Sequence, residues 1–494
     1  MLRRLLQTPT LWFIVAGLLF VAGLASLLEI RLPPRSGGDL DDLRALRERD
    51  DVNVLFILVD TLRADHLSLY GYERPTTPFL EEIARYGIRF EKVRAQSSWT
   101  KTSMASLWTA RFPARTAVFD HAHVLPDPVP LAAEAFRDGG FHTVGIYRNN
   151  WLTPNFGFDR GFDIYIQPIP NRSRERFREA ERAGHKIPGT DVDVLDAAVE
   201  FYRTHRGQRS FVYLHLMDAH QYLFEERSAL FGADLMDLYD NAIHWTDRVL
   251  SALFKELADL DLLRRTLVVI ASDHGEAFRE HGTEGHARNL YREVSEVPLV
   301  ISPPFNLDEP IVVREMVRNV DIVPTLLDLV GLPPLPDADG ISLVPLIEAT
   351  AEGRPANGAA PARDFALLDR AWPDLDAPPQ ITQTITADGW RLIYADCVTD
   401  GIELYDVTTD PNETRNLVTE EPARADALRA ELEEHFASAT GATSTRKVQL
   451  DALQIKRLQE LGYVLGAPRP DGEPSAKQLG CRLPGLGGEL ASGS

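Results

Sequence analysis

Two apolar stretches that end in acidic residues decide the fold: VLFILVDT at residues 54–61 and LVVIASDHGE at residues 267–276. Each apolar run is typical of a buried strand in a parallel sheet, because it is rich in β-branched residues and is apolar on both faces of the strand. Parallel strands end at the same edge of a sheet, and ligands bind at that edge in open α/β folds. Asp60, Asp273 and His274 should therefore lie close together. Two carboxylates and an imidazole suit a divalent metal ion.

Beyond these two strands, strand-like runs alternate with amphipathic helical stretches. Helices are predicted at residues 79–86, 131–137 and 237–257, and strands at residues 143–147 and 211–216. This alternation predicts an α/β fold with a large, mainly parallel central sheet between helices, in a main domain at residues 52–360.

The C-terminal third has a different pattern. A loop rich in Ala, Pro and Gly at residues 354–363 precedes short predicted strands at 380–387, 390–395 and 402–407 and a helix at 420–436. These elements predict a smaller antiparallel sheet with a helix, in a C-terminal subdomain at residues 361–440. The tail at residues 441–494 is expected to be partly disordered, because Pro, Gly and Ser dominate it after residue 466.

The composition excludes several classes of protein. A formal net charge of −21 argues against nucleic acid as a partner, although a bound metal ion can still attract an anionic substrate locally. The two cysteines, Cys397 and Cys481, are too few and too far apart for a disulfide framework or a zinc–cysteine site. A single bridge and two unrelated thiols both remain open.

The N-terminus carries the apolar run LWFIVAGLLFVAGLASLL at residues 11–28, preceded by Arg3 and Arg4. A run of about 18 residues is near the lower limit for spanning a bilayer, and the arginines place the N-terminus in the cytoplasm. We predict a transmembrane signal anchor at residues 1–30, a linker at 31–51 and an extracytoplasmic main domain. A cleaved signal peptide and a buried core helix are the alternatives.

The stretch TKTSMASLWT at residues 100–109 lies between the two acidic strand ends in sequence. Thr100 falls at or just before the first turn of a predicted helix, where free backbone N–H groups and the helix dipole favour anions. This position suits a nucleophile that attacks an anionic centre, especially beside a metal ion. A simple helix N-cap is the alternative.

Six stretches, in chain order, resemble the sulfatase family of the alkaline-phosphatase superfamily. They are VNVLFILVDTLRADHLSLYGY from residue 52, GFDRGFD from 157, YLHLMDAH from 213, ASDHGEAFREHGTEGHARNLYREVSEVPLVI from 271, NVDIVPTLLDLVGL from 319 and ELYDVTTDPNETRNL from 403. The resemblance implies a central mixed sheet between helices, followed by a smaller C-terminal sheet that carries a helix.

The resemblance also implies roles for single residues. Asp60 and Asp273 match metal-binding aspartates, His274 stands where the family has Asn or His, and Thr61 replaces a frequent second aspartate. A second group lies around them: Arg63 matches an arginine that orients the site, His220 a histidine at the leaving group, and His286 a position near substrate oxygen. We assign His220 as general acid; a surface role is the alternative for His220 and His286. His215, inside an apolar strand, is assigned a structural role.

The nucleophile motif departs from the family. Members carry C/S-x-P-x-R, whose first residue is oxidised to formylglycine, whereas this chain has TKTSM at residues 100–104. Threonine has a β-methyl group and cannot form that aldehyde, so no formylglycine is expected. The resemblance extends to relatives with a threonine nucleophile that move phosphoryl groups, such as phosphoethanolamine transferases.

A family lysine in a GK-x-H block is also missing. The stretch YRNNW at residues 147–151 stands in its place. We predict a substrate contact for Asn150 and a possible positive charge from Arg148, with loop positions as the alternative for both. Lys101, beside Thr100, is the candidate that replaces the lost cation.

The sequence therefore predicts a metal-dependent hydrolase of sulfate or phosphate esters, in which Asp60, Thr100, Asp273 and His274 bind one divalent ion and Thr100 is the metal-bound nucleophile. Arg63, Lys101, Asn150 and His286 are the predicted substrate contacts. Ca²⁺ or Zn²⁺ is expected, with Mn²⁺ as a further candidate. The expected substrate is an anionic ester of a glycan, lipid or small molecule. The alternatives are a transferase of phosphoethanolamine- or phosphoglycerol-type groups to envelope glycans or lipids, and an inactive family member that binds anionic glycans.

Overall fold

A computed structural model describes residues 35–168, 190–370, 379–395, 401–439, 445–450, 454–456 and 458. The predicted anchor at residues 1–30 and both cysteines lie outside these ranges. Over the ranges that are described, no helix is long and apolar enough to cross a membrane. The anchor therefore stays a prediction.

The main domain is built on an eight-stranded sheet. In chain order the strands of the main domain are β1 (Gly37–Gly38), β2 (Asn53–Val59), β3 (Ile88–Arg94), β4 (His142–Ile146), β5 (Ile164–Ile166), β6 (Ser210–Leu216), β7 (Thr266–Ala271), β8 (Ala277–Phe278), β9 (Glu284–Gly285), β10 (Glu296–Ser302), β11 (Asn306–Leu307) and β12 (Ile311–Arg318). The large sheet has the order β12-β3-β10-β7-β2-β6-β4-β5. Only β10 runs antiparallel to its neighbours, β3 and β7. The predicted mixed, mainly parallel sheet is confirmed.

The centre of this sheet is the deepest part of the core. Every residue of β2, β6 and β7 is buried, as expected for apolar strands covered on both faces. The parallel register pairs Leu58 with Ala271 on one side and with His215 on the other. The strands therefore end together, and Asp60 and Asp273 follow at one edge.

Helices pack around the sheet. They are α1 (Leu40–Ala45), α2 (Pro78–Ala84), α3 (Thr100–Thr109), α4 (Pro113–Thr116), α5 (Ala132–Asp138), α6 (Asp191–Thr204), α7 (Leu235–Asp259), α8 (Arg292–Ser295), α9 (Ile322–Leu329) and α10 (Val344–Ala351). The predicted helices at 79–86, 131–137 and 237–257 correspond to α2, α5 and α7. The largest helix, α7, begins with a capping box in which the Asp234 side chain accepts from the Asp237 backbone N–H.

The C-terminal subdomain contains an antiparallel sheet of four strands in the order β13 (Arg363–Asp369), β14 (Ile381–Ala387), β15 (Trp390–Ala395) and β16 (Ile402–Asp406). Helix α11 (Pro422–Ala439) covers one face of it, with Leu428, Leu432 and Phe436 in a shared apolar cluster with Ile385 and Leu392. The predicted strands and helix are present. The first strand, β13, was not foreseen, because its sequence follows a loop rich in Ala and Pro without a clear break.

Two segments assigned to linker and tail are folded onto the core. Residues 35–51 contain β1 and α1, and Leu43 and Leu46 are buried in the main core. This part of the predicted linker therefore belongs to the main domain. Near the other end, Lys447 pairs with His123 in an antiparallel bridge, and Leu458 is buried. Residues 446–448 therefore pair with the loop at 120–124. We call these three residues the clasp.

Candidate metal and nucleophile site

Two strands and one helix position the residues of the candidate site. Asp60 and Asp273 follow β2 and β7, and Thr100 is the first residue of α3, with Trp99 at the N-cap position. All three side chains, together with His274, have no exposed surface. Charged residues are rarely buried in this way without partners, so the carboxylates need compensation from groups nearby.

The ligand atoms of Asp60, Asp273 and His274 all lie within 4.8 Å of one another. Among the residues that the structure describes, Asp60 Oδ1 and Asp273 Oδ2 have no hydrogen-bond partner although both are buried. His274 Nδ1 lies 3.0 Å from the carbonyl oxygen of Gly275, to which only a protonated nitrogen can donate. The Nε2 lone pair therefore faces the two oxygens. This donor set fits a divalent cation.

The electrostatics of the pair are consistent with this. Burial would raise the pKa of Asp60, but the surrounding His220, His215 and His274 hold it well below its usual range. Burial and the charge of Asp60 raise the pKa of Asp273 well above its usual range. Two carboxylates at this distance repel each other when both are ionised, and a cation between them removes that cost.

Thr100 reaches this group directly. Its Oγ1 lies 3.1 Å from His274 Nε2 and 3.5 Å from Asp60 Oδ2. The hydroxyl also sits at the N-terminus of α3, where backbone N–H groups without helical partners favour negative charge. The structure thus brings together all four residues that the sequence assigns to the metal.

Two further residues contact Asp60 that the sequence did not assign to the site. Asn149 Nδ2 donates to Asp60 Oδ2 over 2.7 Å and lies 3.3 Å from Thr100 Oγ1. His215 Nε2 lies 3.0 Å from the same oxygen, and its Nδ1 lies 2.6 Å from the hydroxyl of Tyr213. A tyrosine donating to Nδ1 fixes the tautomer in which Nε2–H donates to Asp60. The sequence does contain a signal for the His215 contact: it is a single histidine near the end of an apolar strand that lies beside β2.

Histidines line the site next to His274. The ring of His286 stacks on His274 with centroids 4.7 Å apart, and His220 meets His286 at 4.9 Å. Burial lowers the pKa of His220 to about 4 and that of His286 to about 3. His286 Nδ1 also lies 3.1 Å from Glu276 Oε1, and burial raises the pKa of Glu276 to about 7. The sequence named both histidines but not Glu276.

Three of the predicted substrate contacts, Arg63, Asn150 and Lys101, have partners outside the site. The Arg63 guanidinium pairs with Asp65 at 2.8 Å and with Glu280. Asn150 accepts from Gln167, so the neighbour of Asn150, rather than Asn150, contacts the site.

Lys101 is directed into an aromatic pocket. Its Nζ donates to the carbonyl oxygens of Asp120 and His121 and lies 3.7 Å from the ring centre of Phe156. Burial lowers the pKa of Lys101 well below its usual range. These contacts fix the start of α3 from behind and give no support to a substrate contact.

The residue after Asp60 has an unusual backbone. Thr61 has φ of +59°, a left-handed conformation that is rare for β-branched residues. Its carbonyl accepts from the Tyr239 hydroxyl over 2.6 Å, and its N–H points to Asp273 Oδ1 at 3.4 Å. The surrounding contacts impose this turn, which directs the Asp60 side chain into the cluster.

Comparisons with known proteins agree with this geometry. The sulfatase family profile matches residues 52–332, and the profile of the N-sulphoglucosamine sulphohydrolase C-terminal region matches residues 280–440. Human arylsulfatase A is 26% identical over 495 residues, covering 87% of this chain and 92% of that protein. Arylsulfatase K of Gallus gallus is 33% identical, but only over 37% of this chain and 33% of its own length. The chain thus aligns with about a third of that relative.

Solved structures share the fold. One, determined with its substrate D-glucosamine-2-N,6-O-disulfate, superposes with a TM-score of 0.61 at 18% identity, covering 78% of this chain and 98% of that one. The phosphonate monoester hydrolase of Agrobacterium radiobacter has a TM-score of 0.61 at 20% identity, covering 78% and 95%. Because the family profile spans more than half of the sequence, this chain belongs to the sulfatase family.

Proposed function

We propose that this protein is a metal-dependent hydrolase of sulfate or phosphate esters, with Thr100 as its nucleophile. The observation that carries the proposal is the position of Thr100 Oγ1, 3.1 Å from His274 Nε2 and beside two buried carboxylates. Asp60, Asp273 and His274 hold the ion. A bound divalent cation supplies positive charge that stabilises the transferred anionic group and makes the Thr100 hydroxyl more acidic. Ca²⁺, Zn²⁺ and Mn²⁺ are the candidates.

The chain's own side chains have distinct roles in this proposal. Asn149 holds Asp60 Oδ2 and Thr100 Oγ1 at a fixed separation. His215 donates to the same Asp60 oxygen, which leaves Oδ1 for the ion. His220 protonates the leaving group. In the buried pocket its pKa is near 4, and an ester oxyanion beside it raises that value toward neutral pH by opposite charge.

The threonine shapes the expected chemistry. Attack by Thr100 forms an ester between its Oγ1 and the sulfuryl or phosphoryl group and breaks the bond from that group to the alcohol oxygen. The Thr100 hydroxyl proton passes to solvent, and the released alcohol takes a proton from His220, which regains it from the water of the second step. Water then hydrolyses the Thr100 ester, because an unmodified threonine cannot expel the group by collapse to an aldehyde. No formylglycine takes part. The family relationship supports sulfate esters, and the glycan disulfate bound by a structural neighbour supports an anionic glycan as substrate.

The proposed location is outside the cytoplasm, with the main domain held at the membrane by residues 1–30. The support is the apolar run at residues 11–28 behind Arg3 and Arg4. Fractionation of cells that make the full chain tests this: the protein should remain with the membrane after an alkaline carbonate wash, and external protease should remove the main domain from intact spheroplasts. Release into the wash contradicts the anchor.

The test of the activity is a panel of aryl sulfates, phosphodiesters and phosphonates, assayed with Ca²⁺, Mn²⁺ or Zn²⁺. Thr100→Ala should lose turnover by at least about 1,000-fold, because the nucleophile is removed. The same variant should still bind the ion through the other three ligands, measured by elemental analysis of the purified protein. Thr100→Ser is the matched control and should keep measurable turnover.

Two outcomes favour the alternatives. Transfer of a group from a lipid donor to an acceptor, without release of free product, supports the transferase. Inactivity of the metal-loaded protein across the whole panel supports the hypothesis of an inactive family member that binds anionic glycans. The threonine itself is the feature that keeps the transferase in consideration, since threonine nucleophiles are found in phosphoryl-moving relatives.

A further inference from the structure

We propose that a polar cavity at the junction of the large sheet and the C-terminal sheet binds an oxyanion, with Arg94 as its anchor. The ligand class is a sulfate, phosphate or carboxylate group, either free or carried on a larger acidic molecule. The proposal does not depend on the chemistry at Thr100.

The cavity has a volume of about 910 Å³ and is lined by residues of β3 and β12 and by the hairpin that joins β14 to β15. Lys92 and Arg94 project to the same face of β3, because Val93 between them points into the main core. Thr386 approaches from the C-terminal sheet. Both sheets therefore contribute polar side chains to one concave surface.

Arg94 has donors that the protein does not use. It is only 5% exposed, yet within the described residues its Nε and Nη1 have no hydrogen-bond partner. Its Nη2 lies 3.3 Å from Glu296 Oε2, and that carboxylate is shared with Arg292 at 3.1 Å. A buried guanidinium with two donors left over costs free energy unless an acceptor occupies the space in front of it.

Other unused donors lie around it. Thr386 stands between Asp364 and Arg391 in the register of the C-terminal sheet. In the part of the chain that the structure describes, Thr386 Oγ1 and Arg391 Nε also lack a hydrogen-bond partner although they are buried. The convergence of guanidinium and hydroxyl donors from two sheets is the arrangement that binds tetrahedral or planar oxyanions.

Three of the carboxylates that line the same cavity have partners other than Arg94. Glu91 lies 3.4 Å from Arg89, Asp65 lies 2.8 Å from Arg63, and Asp388 lies 3.2 Å from Arg363. The cavity as a whole is of mixed charge, and the carboxylates of Glu296, Asp364 and Glu413 act on Arg94 as well as the guanidinium of Arg391. The buried donors without a partner lie at the Arg94 end, so that end should take one anionic group rather than an extended polyanion.

The site is separate from the reaction centre. The cavity lining contains neither Thr100 nor the three metal-site residues. Arg94 is the last residue of β3, six positions before Thr100 in the chain, and β3 ends at the same edge of the sheet as β7.

The test uses the full chain and inorganic sulfate as the probe, with thermal unfolding followed over low millimolar sulfate. Asp60→Asn disables the metal site, so sulfate-dependent stabilisation that remains in this variant comes from elsewhere. We expect Asp60→Asn to keep a rise in Tm that increases with sulfate concentration. Adding Arg94→Met should weaken the apparent sulfate affinity by about tenfold or more, as expected for charge-assisted hydrogen bonds.

Arg314→Met in the same background is the matched control, because Arg314 lines the cavity but its side chain is 75% exposed. It should leave the sulfate response unchanged, and the contrast with the loss in Arg94→Met excludes a general salting effect of sulfate. Without sulfate, Arg94→Met should unfold at the same temperature as the parent or higher, since it removes a buried charge with unused donors.

Repeating the titration with glucose 6-sulfate distinguishes a free anion from a group carried on a sugar. Dependence on Arg94 in either titration supports the proposal. A sulfate response that disappears in Asp60→Asn alone, or that persists in full in Asp60→Asn/Arg94→Met, overturns it.

Discussion

At the scale of single residues, Asn149 is a neutral side chain that contacts both Asp60 and Thr100. Its amide donates to Asp60 Oδ2 over 2.7 Å and faces the Thr100 hydroxyl at 3.3 Å. An amide can position an oxygen but cannot neutralise charge on a transferred group. In the proposed reaction, neutralisation of this charge therefore falls to the metal ion and to the N-terminus of α3.

We predict that Asn149→Ala lowers kcat by about 10- to 100-fold, because one of the buried hydrogen bonds that position Asp60 is lost. KM should change less, since Asn149 acts through Asp60 and Thr100. The measurement is steady-state kinetics on whichever ester in the panel is turned over fastest.

The neighbour supplies the control. Asn150 contacts Gln167 instead of the site, so Asn150→Ala should retain nearly full kcat. Equal losses in the two variants would show that the loop, rather than the amide of Asn149, is what matters.

The sequence predicted the site residues unevenly, and the reason is local geometry. Asp60 and Asp273 could be placed together because both follow buried parallel strands. Asn149 and Asn150 could not be told apart, because after a strand the chain turns and period-two alternation no longer says which side chain points inward. His215 was taken as structural since its strand is apolar, yet it ends beside Asp60.

At the scale of elements, the N-terminus of helix α2 is capped by a side chain of another helix, α7. Thr77 at the N-cap makes no side-chain cap, and Asp247 of α7 instead accepts from the N–H groups of Phe79 and Leu80 at 2.9 and 3.0 Å. Asp247 is buried. Long-range capping of this kind has no sequence signature, because the donor and acceptor are far apart in the chain.

We predict that Asp247→Ala lowers the free energy of unfolding by about 2 kcal/mol, because two buried N–H groups lose their acceptor. Urea denaturation of the purified protein measures the change. Asp259→Ala, an exposed change at the end of the same helix, should stay within about 0.5 kcal/mol of the parent. A similar loss in both variants would contradict the capping role.

At the scale of the whole molecule, His281 links the main domain to the C-terminal subdomain. Its Nδ1 lies 2.9 Å from Glu293 Oε1 and its Nε2 lies 3.0 Å from the carbonyl oxygen of Glu413. Burial alone would lower the pKa of His281, but the hydrogen bond and charge of Glu293 raise it to about 9. The folded protein thus holds an imidazolium at neutral pH.

The raised pKa gives a defined pH dependence. The contribution of His281 to stability is fully present below its unfolded pKa of about 6.5 and is lost as pH rises through about 9. We predict that His281→Gln is less stable than the parent by about 2 kcal/mol at pH 6 and that the difference disappears by pH 10. Urea denaturation at both pH values measures it, with His205→Gln as control. A difference that does not depend on pH contradicts this account.

The overall architecture was more predictable than the way its parts meet. The order of apolar runs predicts a mainly parallel sheet followed by a small antiparallel one, because the spacing of apolar residues in each strand and helix is visible in the sequence. The junction between the sheets depends on contacts such as Gln96 donating to Asp364 over 2.9 Å. Such contacts join residues far apart in sequence, and a single sequence holds no sign of them.

The clasp at residues 446–448 forms only after most of the chain has been synthesised. It is paired with the loop at 120–124, whose carbonyl oxygens accept from Lys101, the residue next to Thr100. Ribosomes deliver Thr100 long before they deliver Lys447. A nascent chain therefore lacks this pairing until residues 446–448 have been synthesised. We expect a chain that ends before residue 446 to hold the loop at 120–124, and with it Lys101, less firmly.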